Sequence, residues 1–574
     1  MTPGKRQDLL LGSNIDGNEG KRVDNTHRLV VTCALPYADG DIHLGGITST
    51  YLPADIFVRY HTSVGNEIVF MCASDDYGTP ILIAAEKEGK SPQEFVSYWN
   101  KRFQLDFAGL GIKFDVFGMT SSDENRELTQ HFFMKLRERG FISKQEVLEP
   151  YCNKCLKFLP DRYVKGTCPY CSAIEQYSDG CEKCGRAFLS NQVLEPHCAI
   201  CGSKPETKPS EHFIFKLSSF ATKLEEWLKQ NANLQPSVKN YVLNWIKEGL
   251  RDWDITRDID WGVPIPLDEA KGKVLYGWFD NHLCYIATTI KYLEQEGKDG
   301  KSYWNNATIH HFIGKDIVYH HYLFLPAMRL GVEEYALPQY IPTRGHLLLQ
   351  GQKFSKSRGW GIPLRDFLRS FPADYLRFYL TTITPYSQSD VNFDWNDFQA
   401  RINNELVANV GNFIHRTLTF AFSWFKGEIP SPSGYDDIDN ALVSAMTTIP
   451  AEAGSRISAN QLEPALKKIL EFSAHCNRYF QEKKPWEKTA NPSNCLFLSS
   501  NAVRTLSVIL APFIPDSCER LRTMINIQGE VELTKWLSAS KILLKAGHKI
   551  NRPQVLFRKV EDHEITEQLQ KLKA

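Results

Sequence analysis

The sequence predicts an α/β chain: a parallel sheet flanked by helices, interrupted by a cysteine-rich insert and followed by an all-α bundle. Three observations carry this. Short apolar runs alternate with helical stretches from about 27 to 121, and the pattern resumes at Val274. Between Cys152 and Cys201 lie four Cys-x-x-Cys pairs. From about 400 to 545 apolar residues recur at helical spacing with no strand-like run.

At 574 residues the chain is too long for one core and calls for roughly three or four domains. Hydrophobic residues make up 42% and charged residues 23%, the balance of a soluble globular protein. Net charge is zero, so a nucleic-acid partner would be held by local basic patches and not by an overall field. No apolar run reaches membrane-spanning length and no apolar leader opens the chain, so no membrane partner and a cytoplasmic location are expected.

Taken in order, residues 1–26 are polar and rich in Gly, Asn and Asp, and are expected to form a disordered tail. Leu29-Val30-Val31 reads as a buried strand; a Pro/Gly/Asp turn follows, then His43-Leu44-Gly45-Gly46 at a helix head. In that geometry free backbone N–H groups face a bound phosphate, and glycines at 45 and 46 let a nucleotide approach the backbone. Ile68 to Cys72 is a second strand, ending in the turn Ala73-Ser74-Asp75-Asp76-Tyr77, where a parallel strand presents active-site groups. An amphipathic helix is expected over 81–105. The pairs Cys152/Cys155, Cys168/Cys171, Cys181/Cys184 and Cys198/Cys201 supply two four-thiolate zinc sites, structural because closed. Three pairings are possible; the nine-residue link from Cys171 to Cys181 favours the inner pairs on one ion and the outer pairs on the other. The other six cysteines are scattered in apolar surroundings, as suits a reducing compartment. The sheet resumes at Val274 to Asp280 and His311 to Ile317, and a basic loop, Gly351 to Gly359, follows. Helical spacing then marks Asn403 to Phe422, Asn460 to Gln481 and Ser499 to Ile525.

HLGG near the start and KFSKS in the later loop resemble the HIGH and KMSKS motifs of class I aminoacyl-tRNA synthetases. CALPYADGDIHLGG, LPDRYVKGTCPYC, RDWDITRDIDWGVPIP, FIGKDIVY, ELVANVGNFIHR and KKPWEK extend the resemblance over nearly the whole chain to the methionyl family, in its two-zinc branch. That resemblance implies a Rossmann-type catalytic sheet in two halves (27–121 and 276–345), a zinc-knuckle connective insert (122–275) and a loop and stem-contact region (346–399). An anticodon-binding bundle (400–545) and a C-terminal linker and helix (546–574) complete it. It implies activation of methionine by ATP and Mg2+ and transfer to the 3'-terminal adenosine of tRNA(Met), initiator included. Zinc pairing outer with outer is implied too.

By the same resemblance His43, Gly45, Gly46, Lys353, Ser355 and Lys356 would hold ATP, with His43, Lys353, Lys356 and Arg257 acting in catalysis. Asp75 would take the methionine ammonium and Asp316 would support it. Ala34, Leu35, Tyr37, Trp278, Tyr285, Ile317 and His321 would form the thioether slot. Asn412 and Arg416, spaced i, i+4, and Trp486 would read the anticodon. The chain departs from the family at four places. Gly46 stands for the second histidine, Tyr77 for a histidine, Leu325 for an aromatic near the sulfur, and Asn281-His282 for Ala-Pro. The last two side chains either point outward or admit a different substrate. The rivals are a paralogue charging another amino acid onto a CAU tRNA and a catalytically silent tRNA-binding protein. A monomer is expected from the absence of an appended dimerising domain.

Overall fold

The computed structural model describes residues 27–178, 181, 183, 192–354, 360–487 and 492–572. The expected tail, Cys184, Ser355 and Lys356 lie outside them. Strand β1 (Arg28–Cys33) is buried from Leu29 onward, as a strand covered on both faces by helices must be. It leads into a helical run, α1 (44–63), whose Ile47–Tyr51 stretch has π pitch. β2 (Glu67–Ser74) pairs parallel with β1, Val31 opposite Phe70.

The single helix expected over 81–105 is two, α2 (Thr79–Lys87) and α3 (Pro92–Gly109). Apolar periodicity runs through both, but local punctuation overrides it. Gly89 takes a φ of +64°, Ser91 and Glu94 form a capping box, and Pro92 sits in the first turn of α3. β3 (Val116–Met119) then lies parallel to β2.

The insert leaves as β4 (Ile142–Cys152) and returns as β5 (Glu206–Phe215), antiparallel from Ile142↔Phe215 to Tyr151↔Glu206. The long arm carries the cysteine turns at its far end. β6 (Thr308–Gly314) and β7 (Thr343–Arg344) complete the main sheet in the order β7-β6-β1-β2-β3, all parallel. Chain order reverses between β1 and β6, which opens a crevice beyond their carboxyl ends. β8 (Leu347–Leu349) turns at Gln350-Gly351, both at positive φ, into β9 (Gln352–Lys353), and pairs parallel with β10 (Val391–Phe393).

Beyond Phe393 the described residues form no further strand, and helices Asn412–Trp424, Asp437–Ser458, Leu462–Lys483 and Pro492–Ile509 pack as a bundle. No helix among the described residues is long and apolar enough to cross a membrane. A buried charge ties the helical region to α1. Arg377, in helix Ala373–Ile383, donates to Asp55 of α1 at 2.6 Å and to the carbonyls of Pro512 (2.7 Å) and Phe513 (3.0 Å). The side chains of Arg377 and Asp55 are only 0% and 3% exposed.

Breaking such a pair from one side leaves a buried charge short of its partner. Arg377→Ala is therefore expected to destabilise the chain by about 3 kcal/mol, tempered by Arg59, which also donates to Asp55. The urea midpoint reads this directly; an unchanged midpoint would contradict it.

Candidate active site and metal centres

A cavity of about 500 Å³ opens beyond the carboxyl ends of β1 and β6. Three sets of residues meet in its wall. At one end are His43, Gly45, Gly46, Lys353 and Phe354. His43 caps α1, its Nδ1 accepting the Gly45 N–H at 3.1 Å, so the ring proton sits on Nε2 and that nitrogen is a donor. Its ring stacks on Phe354 with centroids 5.3 Å apart. A Cβ on Gly45 would come within 2.8 Å of the His43 ring, so only glycine lets the histidine fold back over its own helix. The two motifs, far apart in sequence, thus touch: His43 from one, Phe354 from the other. Ser355 and Lys356 continue that second motif outside the described residues.

The second set is Ala34, Leu35, Tyr37 and Asp75. Asp75 is held in place through its backbone. Its N–H donates to the Pro36 carbonyl and its carbonyl accepts from Ala38, both at 2.9 Å. The carboxyl is buried, and burial pushes it up to about 8, with Asp76 and Asp39 adding like charge and the Asn281 amide working against them.

The third set is Trp278, His282, Tyr285, Ile317 and His321. His321 Nδ1 donates to the Ile317 carbonyl at 3.1 Å, which leaves Nε2 to accept from the Tyr285 hydroxyl at 3.1 Å. Burial lowers His321 to about 4 and raises Tyr285 well above its ordinary value, so both are neutral near pH 7. The result is a neutral aromatic slot with fixed polar tips, suited to an unbranched thioether.

Asp316 also lines the cavity, bonded to His346 Nε2 at 3.3 Å. Arg257 is not in the wall. Its Nε donates to Asp161 of the insert at 3.1 Å, Nη1 donates to the Thr256 carbonyl at 2.7 Å, and the guanidinium lies 3.9 Å over the Tyr276 ring. Asn281 and His282 face inward, both lining the cavity and almost wholly buried. Tyr77 instead packs edge-on against Trp261 at 5.2 Å, and Leu325 sits in the core outside the wall. Phe354 and the Ser49-Thr50 turn of α1 also line the cavity. The sequence marks Phe354 only as part of the basic loop.

In the insert the sulfurs of Cys152, Cys155, Cys198 and Cys201 lie within 4.8 Å of one another, as do those of Cys168, Cys171 and Cys181. Outer turns meet outer turns and inner meet inner. Four convergent thiols at this spacing are a donor set for zinc. Cys184, beside the second group in sequence, lies outside the described residues. On the bundle, Arg416 lies over the rings of Phe480 (4.7 Å) and Trp486 (5.4 Å). Its Nη2 donates to Gln481 at 3.4 Å, and Asn412 donates to Asn477 at 3.1 Å. The indole of Trp486 is 36% exposed, enough to offer a face for stacking.

A parallel sheet read at its switch point, with a histidine–glycine helix head and a later basic hairpin over one cavity, defines a class I aminoacyl-tRNA synthetase core. Residues 29–418 match the family described as tRNA synthetases class I (M), and residues 429–574 match the anticodon binding domain of methionyl tRNA ligase. A methionine–tRNA ligase of Methanobrevibacter smithii is 42% identical over 549 residues, covering 95% of this chain and 82% of its own length. One from Methanopyrus kandleri is 41% identical over 547 residues, covering 94% and 81%. The methionyl-tRNA synthetase of Mycobacterium tuberculosis, solved bound by methionyl-adenylate, has the same fold, with a TM-score of 0.77 at 20% identity over 93% of this chain and 100% of that one. The chain belongs to the methionine–tRNA ligases.

If Asp75 takes the methionine ammonium, as the resemblance implies, its carboxyl, pushed up to about 8, must ionise to do so and releases a proton. Methionine binding at pH 7 is expected to release protons, and its apparent affinity to fall as pH drops below about 8. Calorimetry in buffers of different ionisation enthalpy measures this. Proton uptake, or none, would contradict the assignment of Asp75.

Proposed function

We propose that this cavity joins methionine to ATP and that the bundle selects the tRNA which receives it. The methionine carboxylate attacks the α-phosphorus, an oxygen–phosphorus bond forms as pyrophosphate leaves, and the adenylate remains. The ribose hydroxyl of the terminal adenosine of tRNA(Met) then attacks the carbonyl and AMP departs. The contact of His43 with Phe354, beside Lys353, carries this reading, because it places both motifs on one nucleotide-sized space.

Each set of wall residues has a part. His43 Nε2–H and the backbone at Gly45 and Gly46 hold phosphate oxygens, while Lys353 and Lys356 neutralise the leaving pyrophosphate and Ser355 offers it a hydroxyl donor. Asp75 holds the ammonium, and Trp278, Tyr285, Ile317 and His321, with Ala34, Leu35 and Tyr37, enclose the side chain. Asp316 supports that wall. Arg257, which Asp161 holds outside the wall, would act in catalysis by turning to the bound substrate. Mg2+ would screen the phosphate charges. Zinc on each group of cysteines, Cys184 completing the inner one, would hold the insert's shape. Asn412, Arg416 and Trp486 would read the anticodon by base-edge bonds and stacking.

Amino-acid-dependent pyrophosphate exchange with all twenty amino acids is expected to respond to methionine. Stimulation by another amino acid alone would favour the paralogue that the inward Asn281 and His282 make conceivable; no exchange at all would favour a silent binder. His43→Ala is expected to slow exchange by about a hundred-fold or more, the scale of losing one aimed donor to developing charge. A change under three-fold would remove His43 from the phosphate site. Trp486→Ala is expected to raise KM for tRNA by on the order of ten-fold, the scale of one lost base stack. Unchanged KM for tRNA would remove that indole from the anticodon site. Metal analysis is expected to return two zinc ions per chain, and one or none would contradict two closed four-thiolate sites.

A further inference from the structure

Asn281 is, with Gly46 and His282, one of the wall positions at which the chain departs from the family pattern, and its surroundings point to a part in binding. It closes the short helix Gly277–Asp280, where its own N–H donates to the Gly277 carbonyl at 3.0 Å. The side chain is 5% exposed and lines the cavity. Its Nδ2 donates to Asp75 Oδ2 at 3.2 Å. In the ionised form of Asp75, the one a cation selects, the NH2 end of the amide must face the carboxylate oxygen, so Oδ1 is the end left over. Asn281 Oδ1 is buried with no hydrogen-bond partner, and so is the other carboxylate oxygen, Asp75 Oδ1.

Two buried acceptors therefore sit on one bonded pair at the cavity wall, each short of a donor. Buried acceptors left unpaired cost free energy, so a ligand that supplies donors there is favoured. An ammonium carries three N–H donors and a positive charge. The charges that weigh most on Asp75, those of Asp76 and Asp39, are both negative and favour a cation at this place. A hydroxyl or thioether would satisfy at most one acceptor and leave the carboxylate without a counter-charge.

We propose that Asn281 is a further substrate-binding and positioning residue: it orients the Asp75 carboxylate through Nδ2 and accepts a second ammonium N–H of the amino acid through Oδ1. The inference rests on the reading of Asp75 as the ammonium carboxylate and adds to it. With Ala at this position, one carboxylate would hold the ammonium without an amide to fix its rotamer. In this chain the amide makes a two-pronged clamp, and the amino group is distinguished by geometry as well as by charge.

The test compares L-methionine with its deamino analogue, 4-(methylthio)butanoate, in wild type, Asn281→Ala, Asn281→Leu and Asp75→Ala. Both dissociation constants are measured by calorimetry, and ATP binding confirms that each variant is folded. Wild type prefers methionine. In both Asn281 variants that preference is expected to shrink on the order of ten-fold, the scale of one hydrogen bond to a charged group, while the analogue's affinity changes little. Leucine keeps the branched outline of asparagine and is larger, whereas alanine is smaller, so agreement between the two variants separates hydrogen bonding from packing. Equal weakening of both ligands by the Asn281 variants would overturn the proposal, because it would show a residue that only shapes the wall. A preference retained in Asp75→Ala would overturn the reading of Asp75 instead. If Asp75→Ala loses the preference and the Asn281 variants keep it, only the clamp is wrong.

Discussion

The parallel pairing of β1 between β2 and β6 is the constraint on which the site depends. Leu29 to Cys33 lie opposite Thr308 to Phe312 on one side, and Arg28 to Thr32 lie opposite Glu67 to Met71 on the other. All three strands therefore point the same way and end within two residues of one another, and the turns that follow them share one crevice. One turn brings His43 and the glycines, the second Asp75, the third Asp316 and, a helical turn later, His321. A one-residue slip of β1 would turn Val31 and Cys33 to the opposite face and carry the His43 turn with them. The Asp55–Arg377 pair acts from behind the same helix, tying the element that begins at His43 to the bundle that meets the RNA.

The cavity is electrically divided. Around His43 and Lys353 it offers donors and positive charge, which suits phosphates. Around Asp75 it offers carboxylate and amide oxygens, which suits an ammonium. Between them the buried histidines of the wall are neutral: burial takes His321 to about 4 and His282 well below its ordinary value. Neutral rings can line a thioether slot at no cost in unpaired charge, whereas imidazolium rings there would repel any ammonium brought to Asp75. The slot's chemistry thus depends on how dry it is kept.

Much of this was legible in the sequence because the features are local. The strand, turn and glycines of Arg28 to Gly46 specify their own geometry, and the cysteine turns announce thiolate sites whatever surrounds them. Residues that act through partners far along the chain were less legible. Nothing local to Arg257 announces that Asp161 and the Tyr276 ring hold it. Asn281 reads as a substitution facing either way until Asp75, more than two hundred residues earlier, is found beside it. The 81–105 stretch misled for a different reason. Apolar spacing is continuous across a break that a single positive φ and one cap decide. Phe354 lay in plain view, yet only the folded hairpin shows that it stacks on His43.

The central claim is that groups scattered through the first 354 residues enclose one activated amino acid. Hydrogen exchange with and without a non-hydrolysable sulfamoyl analogue of methionyl-adenylate tests it most directly. The account predicts protection appearing together at 43–46, 75–77, 278–285, 314–321 and 346–354, with the bundle helices unchanged. Protection confined to one of these segments, or centred on the bundle, would contradict it.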